Sequence, residues 1–198
     1  MNFLAHLFLS GNNEEWRLGG FIADAVKGDK ILKYSQGIQQ GIILHRKVDT
    51  YTDAHPLFKH SVDRLRPMYH KYSGVITDMF YDHFLNVYWS KYNTTDLEDF
   101  AKIFYIELIK NYLILPAKSR IIVPFLVYNN WLLSYGSLEG LKKRLEGMAR
   151  RTQFFSGMDT AVDALNKDYT LYRDDFFGFF NDVVPFVECE KEKLNKIQ

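Results

Sequence analysis

Cysteine is almost missing from this chain. The single Cys189 excludes an intrachain disulfide and a cysteine-based zinc cluster, and a reducing compartment is the simplest setting for it. Net charge is almost missing too. Lys+Arg number 25 against 24 Asp+Glu, a formal +1, so no whole-molecule field gathers nucleic acid or a membrane surface. Any basic docking face has to be local. No window approaches the roughly 20 apolar residues that span a bilayer. The opening run from Met1 to Leu9 is apolar, but no basic segment precedes it. His6 interrupts it, and Asn12, Asn13, Glu14 and Glu15 follow, so it fits a secretory signal poorly. Together these absences predict a cytoplasmic protein. Also missing are G-x-x-x-x-G-K-[ST], G-x-G-x-x-G after a strand, H-E-x-x-H and G-x-S-x-G, which removes the chemistries those motifs carry. Cys189 sits between Glu188 and Glu190, whose charge opposes the thiolate that a nucleophile needs.

What is present points to one folded unit. The 198 residues are 47% hydrophobic, enough for a sizeable core and far from a disordered composition. Aromatics reach 16%, and burial accounts for most of them. Leu97, Phe100, Ala101, Phe104, Leu108 and Tyr112 recur at three- and four-residue steps, with Glu98, Asp99, Lys102, Glu107 and Lys110 between them. That is an amphipathic helix, capped by Thr95 or Asp96. Further helices are expected from about Glu14 to Val26, stopping at Gly28, and from near Ser35 to about Thr52. A short one is expected after Pro56, and a long one from Ser73 to Lys91. The stretch from Ser119 to Tyr135 should kink or break at Pro124. Segments 137–149 and 159–190 read as helical, the second interrupted near Pro185. Strand alternation is weak and no repeat or linker stands out. The expected architecture is all-α, a single-domain helical bundle over residues 1–198.

Three short stretches carry chemistry. His45 and Asp49 are four apart, which on a helix puts an imidazole and a carboxylate on one face. They suit one metal ion, or simply a surface pair. Arg46, turned about 100° away, is placed to reach a phosphate at the rim. Asp78 and Asp82 repeat the four-residue spacing among Met79, Phe80, Phe84 and Leu85. Two carboxylates buried in such surroundings repel each other, and a divalent ion removes the conflict; the other reading leaves that face in solvent. His83 adjoins Asp82 and shares a site with it only if the helix passes alongside the ion. Asp24, in an apolar turn, needs either Lys27 or a metal as partner. His6, inside Phe3 to Phe8, reads by itself as a core histidine. His55, His60 and His70 read as surface residues.

The opening Met1-Asn2-Phe3-Leu4-Ala5-His6-Leu7, then Ala23-Asp24, His45-Arg46-Lys47-Val48-Asp49 with Thr52-Asp53, and Asp82-His83-Phe84-Leu85 form an ordered set. Trp131-Leu132 and Gly147-Met148-Ala149 before Arg150-Arg151 continue it, from residue 1 to about 152. The set resembles the acyl carrier protein phosphodiesterases. The resemblance implies hydrolysis of holo-acyl carrier protein, releasing 4′-phosphopantetheine and leaving a serine on the apo carrier. It also implies an HD-phosphohydrolase-like helical fold that holds a divalent ion with His and Asp. Manganese is the ion associated with that family, and mixed N/O ligands also suit Fe²⁺ or Zn²⁺. Here the adjacent pair is Asp82-His83, not His-Asp, so ligand positions from the wider superfamily do not transfer.

The expected site is therefore a metal centre drawn from Asp24, His45, Asp49, Asp78, Asp82 and His83. Arg46 or Arg151 would offset charge on the phosphoryl oxygens, and His6 or His83 would protonate the leaving alkoxide. Docking of an acidic carrier would use a basic patch from among Lys27, Arg46, Lys47, Arg64, Arg66, Arg150 and Arg151. Two other readings stand beside this one: an HD-type hydrolase of a nucleotide or other small phosphodiester, and a non-enzymatic helical adaptor that binds a carrier protein. Neither nucleic acid nor membrane is expected as a partner.

Overall fold

A computed structural model describes residues 1–196, and among these residues there are helices and short 3-10 turns but no strand. At the centre lies α1 (Phe3–Ser10), packed against α2 (Glu14–Ile22), α3 (Gln36–Ala54) and α5 (Ser73–Val87). Six of its eight residues are buried, as expected of a helix apolar nearly all round. A buried helix cannot leave its first N–H groups to water. Asn2 provides no side-chain cap; instead Asp82 of α5 accepts from Leu4 N at 2.8 Å and from Ala5 N at 3.1 Å.

The close packing of α2 on α3 rests on two glycines. A methyl group on Gly19 would stand 2.3 Å from the Ile38 carbonyl oxygen, and one on Gly41 would stand 2.4 Å from that of Trp16. Only backbone without a side chain tolerates such an approach. It lays the turn after α2, which carries Asp24, over the middle of α3, and Arg46 Nη2 ties that turn down by donating to the Val26 carbonyl at 2.7 Å. On the far side of α2, buried Arg17 pairs with buried Glu107 of α6 (Leu97–Lys110), through Nε at 2.9 Å and through Nη2, and its Nη1 donates to the Gly11 carbonyl.

The remaining helices are α4 (Pro56–Tyr69), α7 (Ala117–Tyr128), α8 (Trp131–Ser134), α9 (Leu138–Ala149), α10 (Ala161–Lys167) and α11 (Tyr169–Asn195). The aromatic content is largely core: Tyr172, Phe176, Phe179 and Phe180 of α11 are buried with Phe80, Tyr81 and Phe84 of α5. Neither proline breaks its helix as expected. Pro124 lies inside α7, and the Arg120 carbonyl that loses its usual donor there takes the Tyr112 hydroxyl at 3.4 Å. The break falls at Asn130, which is left-handed at φ 43°. The Tyr105 hydroxyl spans it, donating to Asn130 Oδ1 at 2.8 Å and accepting from Leu132 N at 3.1 Å. Likewise α11 runs through Pro185, and the interruption in that region is at Asp168. His55 is not a surface residue: it is buried, caps α4 through Leu57 N and lies 3.2 Å from Asp182. No helix among the described residues is long and apolar enough to cross a membrane.

Candidate metal centre and groove

Three elements converge on one point. α3 presents His45 and Asp49 one turn apart, and α1 lays His6 flat on His45, with ring centroids 3.7 Å apart and 17° between planes. His6 Nε2 is 3.0 Å from Asp49 Oδ1 and His45 Nε2 is 3.1 Å from Asp49 Oδ2. The turn after α2 adds Asp24, whose Oδ1 is 3.6 Å from His45 Nε2. These approaches lack hydrogen-bond geometry, so His6 Nε2 and both His45 ring nitrogens are buried without a hydrogen-bond partner. The spacing suits a shared cation. Ligand atoms about 2.1 Å from one ion stand roughly 3.0–3.4 Å from one another. His6, His45 and Asp49 each offer such an atom, all within 4.8 Å. The α-amino group of Met1 closes one side, 3.3 Å from Asp49 Oδ1 and 3.1 Å from Asp78 Oδ1.

The electrostatics of His6, Asp24 and Asp49 fit ligation. Burial first, and then neighbouring His45, press the His6 imidazole down to about 3. His6 is thus neutral at ordinary pH, the form that binds metal. Burial acts in the same direction on His45, but Asp24 and Asp49 outweigh it and raise its pKa. Burial opposes ionisation of Asp49, yet His45 and His6 hold its carboxyl well below the usual carboxylate range. His45 likewise lowers Asp24. Asp78 is pushed up by burial, with the Met1 ammonium opposing.

The structure does not bring every expected residue here. Asp82 is fully buried with both oxygens on the α1 backbone; burial raises its pKa to about 7, tempered by the Leu4 and Ala5 N–H groups. His83 turns the other way, with Nδ1 2.7 Å from the Tyr135 carbonyl and Nε2 3.0 Å from the Tyr169 hydroxyl. Neighbours on a helix diverge by about 100°, and α5 does not run alongside the cluster in a way that would reunite the pair. Arg46 is spent on the Val26 carbonyl. Of the seven candidates for a basic patch, Arg64 pairs with Asp175, Arg66 with Asp63 and Lys47 with Glu190. Arg151 alone among the seven lines the groove beside the cluster.

That groove, about 540 Å³, shares Met1, Asn2, Phe3 and Asp24 with a small cavity against His6 and His45. Asp78 belongs to its wall, with Lys143, Arg144 and Arg151 of the α9 region contributing the opposite charge and Ile122, Phe125 and Met148 an apolar surface. Arg144 lies 4.9 Å over the Trp131 ring; its Nε is buried without a partner, and burial lowers its pKa. Sequence reasoning missed Arg144, because Arg151 lies in the turn beyond the end of α9 and no helical spacing links the two. It also gave His6 a proton-transfer role, because nothing local shows that α1 stacks it on α3.

Asp82→Ala separates the two roles that this carboxylate can have. Losing a buried cap leaves two N–H groups unsatisfied, so unfolding in urea should show about 1–3 kcal/mol less stability, with metal stoichiometry of the folded protein kept. Lost metal at unchanged stability would make Asp82 a ligand instead.

A family model described as acyl carrier protein phosphodiesterase matches residues 1–183. The acyl carrier protein phosphodiesterase of Photorhabdus laumondii subsp. laumondii is 32% identical to the chain over 188 residues, which is 94% of this chain and 93% of that protein. That of Yersinia pestis is 31% identical over 182 residues, 91% and 94%, and that of Enterobacter sp. (strain 638) 27% over 184 residues, 91% and 94%. No solved structure gives a significant match to the chain.

Proposed function

The chain belongs to the acyl carrier protein phosphodiesterase family, and from that premise we propose that it hydrolyses the phosphodiester joining 4′-phosphopantetheine to the serine of holo-acyl carrier protein. The observation that carries the reading is the His6–His45–Asp49 cluster opening through Asp24 into a groove with unpaired arginine on its wall. In this reading His6 and His45 hold a divalent ion through Nε2 and Asp49 through its carboxylate. Asp24 reaches in from the groove side. Asp78 supports the cluster through its contact with the Met1 amine. Asp82 and His83 hold the frame, Asp82 by fixing the start of α1. Mn²⁺ is the first choice for this mixed N/O set, with Fe²⁺ or Zn²⁺ next. Bound there, such an ion polarises a phosphoryl oxygen and lowers the pKa of a coordinated water toward neutrality.

The protein's own residues do the rest. Arg144, lying over the Trp131 ring, and Arg151 face the groove with donors for the phosphoryl oxygens, where charge develops as the serine leaves. Phe3, Ile122 and Met148 give the pantetheine arm an apolar wall and keep water from it. Incubating holo carrier with enzyme and Mn²⁺ should yield apo carrier by mass spectrometry, and EDTA should stop it. If the metal-loaded protein leaves holo carrier intact while it cleaves small phosphodiesters, the substrate is wrong.

A further inference from the structure

We propose that the outer face of α7 is the surface on which an acidic carrier protein docks while its phosphopantetheine arm occupies the groove; this rests on the function proposed above. Beyond its first turn, from Ile121 to Tyr128, the helix is apolar all round. Its inner face buries Val123 and Leu126. Its outer face carries Ile121, Phe125 and Tyr128, at positions i, i+4 and i+7, exposed by 68%, 60% and 89%. A stripe of that size on a helix already packed on one side is covered in use.

Two observations say what covers it. The first is continuity. Phe125 belongs to the outer stripe and also lines the groove, together with Ile122 of the same helix and Asn129 just past its end. The bond to be cut joins the arm to a serine on the carrier's own surface. With the arm in the groove, the carrier body has to rest on the groove's rim, and α7 is that rim. The second is charge. No Asp or Glu occurs from Leu108 to Leu138, whereas Lys110, Lys118 and Arg120 do. Lys118 is exposed, and neither it nor Arg120 makes an ion pair among the described residues. On a chain that is otherwise almost neutral, this is an apolar face rimmed by one sign of charge. It suits an acidic partner, with the aromatic side chains as anchors and the cations steering approach.

Three variants test it: Ile121→Asp, Tyr128→Asp and Tyr128→Lys. Both side chains lie in solvent, so the melting temperature should hold. Steady-state kinetics on holo carrier should show KM raised about tenfold or more by either Asp variant, kcat at saturation unchanged, and a smaller rise with Tyr128→Lys. Apo carrier has no arm, so fluorescence anisotropy with labelled apo carrier reads the surface contact alone and should weaken in the same order. Unchanged KM and unchanged apo-carrier binding in both Asp variants overturn the proposal. So does a dimer in sedimentation that Ile121→Asp splits without changing carrier KM, which gives the face to a second copy of this chain. A wild-type protein that binds apo carrier through α7 but cleaves no holo carrier sinks the function and leaves the surface standing.

Discussion

Replacing His45 with alanine, or Asp49 with alanine, is expected to remove bound metal and to lower turnover of holo carrier by more than 100-fold. Loss of an outer partner of a metal ligand costs roughly 10–100-fold, and in the proposed site these two residues are ligands themselves. Both Asp49 oxygens and His45 Nε2 meet at 3.0–3.6 Å with His6 and Asp24, so neither residue can be removed without breaking the shared contact. Elemental analysis of purified variants gives the metal content, and kinetics with saturating Mn²⁺ shows whether excess metal rescues them. His83→Gln is the control. Its imidazole is committed to Tyr135 and Tyr169, so the variant should keep its metal. Full metal and activity in His45→Ala, or loss of metal in His83→Gln with the fold intact by circular dichroism, would move the centre to the other face of α5.

The largest stability effect is expected at Glu107, far from the chemistry. Arg17 and Glu107 are both buried and join α2 to α6. Deleting one partner strands the other charge without water, which costs about 3–5 kcal/mol. For a chain of this length that corresponds to a fall in melting temperature of roughly 6–20 °C. Glu107→Ala should show it in thermal and urea unfolding. The double variant Arg17→Met, Glu107→Leu should recover much of the loss, because packed apolar side chains replace a buried ion pair at little cost. A double variant markedly less stable than a nearly unaffected Glu107→Ala would mean that the Arg17 contact with the Gly11 carbonyl, not the ion pair, carries the stability. Activity measured well below the transition should change little, because neither side chain lines the groove.

Local pattern made the helices legible. The 97–112 repeat corresponds to α6, and the 35–52 stretch to α3, because side chains three and four apart sort themselves by face wherever a helix lies on a core. Prolines misled because their cost depends on what replaces the lost bond. The Tyr112 hydroxyl at Arg120, brought in from a separate turn, is invisible along the chain. The all-helical class and the family were legible as well, from composition, periodicity and a run of short motifs kept in order.

The arrangement of the candidate site was only half legible, for a physical reason. His45 and Asp49 are one turn apart, so helical geometry alone sets their faces, and the sequence determined that pair by itself. Every other member comes from a different element. His6 joins because α1 packs on α3, Asp24 because Gly19 and Gly41 let α2 approach, and Arg144 because α9 closes the groove beside Trp131. Asp82 shows the reverse. Its spacing from Asp78 suits a metal, yet a buried helix start with no other acceptor for Leu4 and Ala5 claims it. Periodicity determines which side chains share a face; only the packing of helices decides what that face meets, and an ion site or a cap is defined by what it meets.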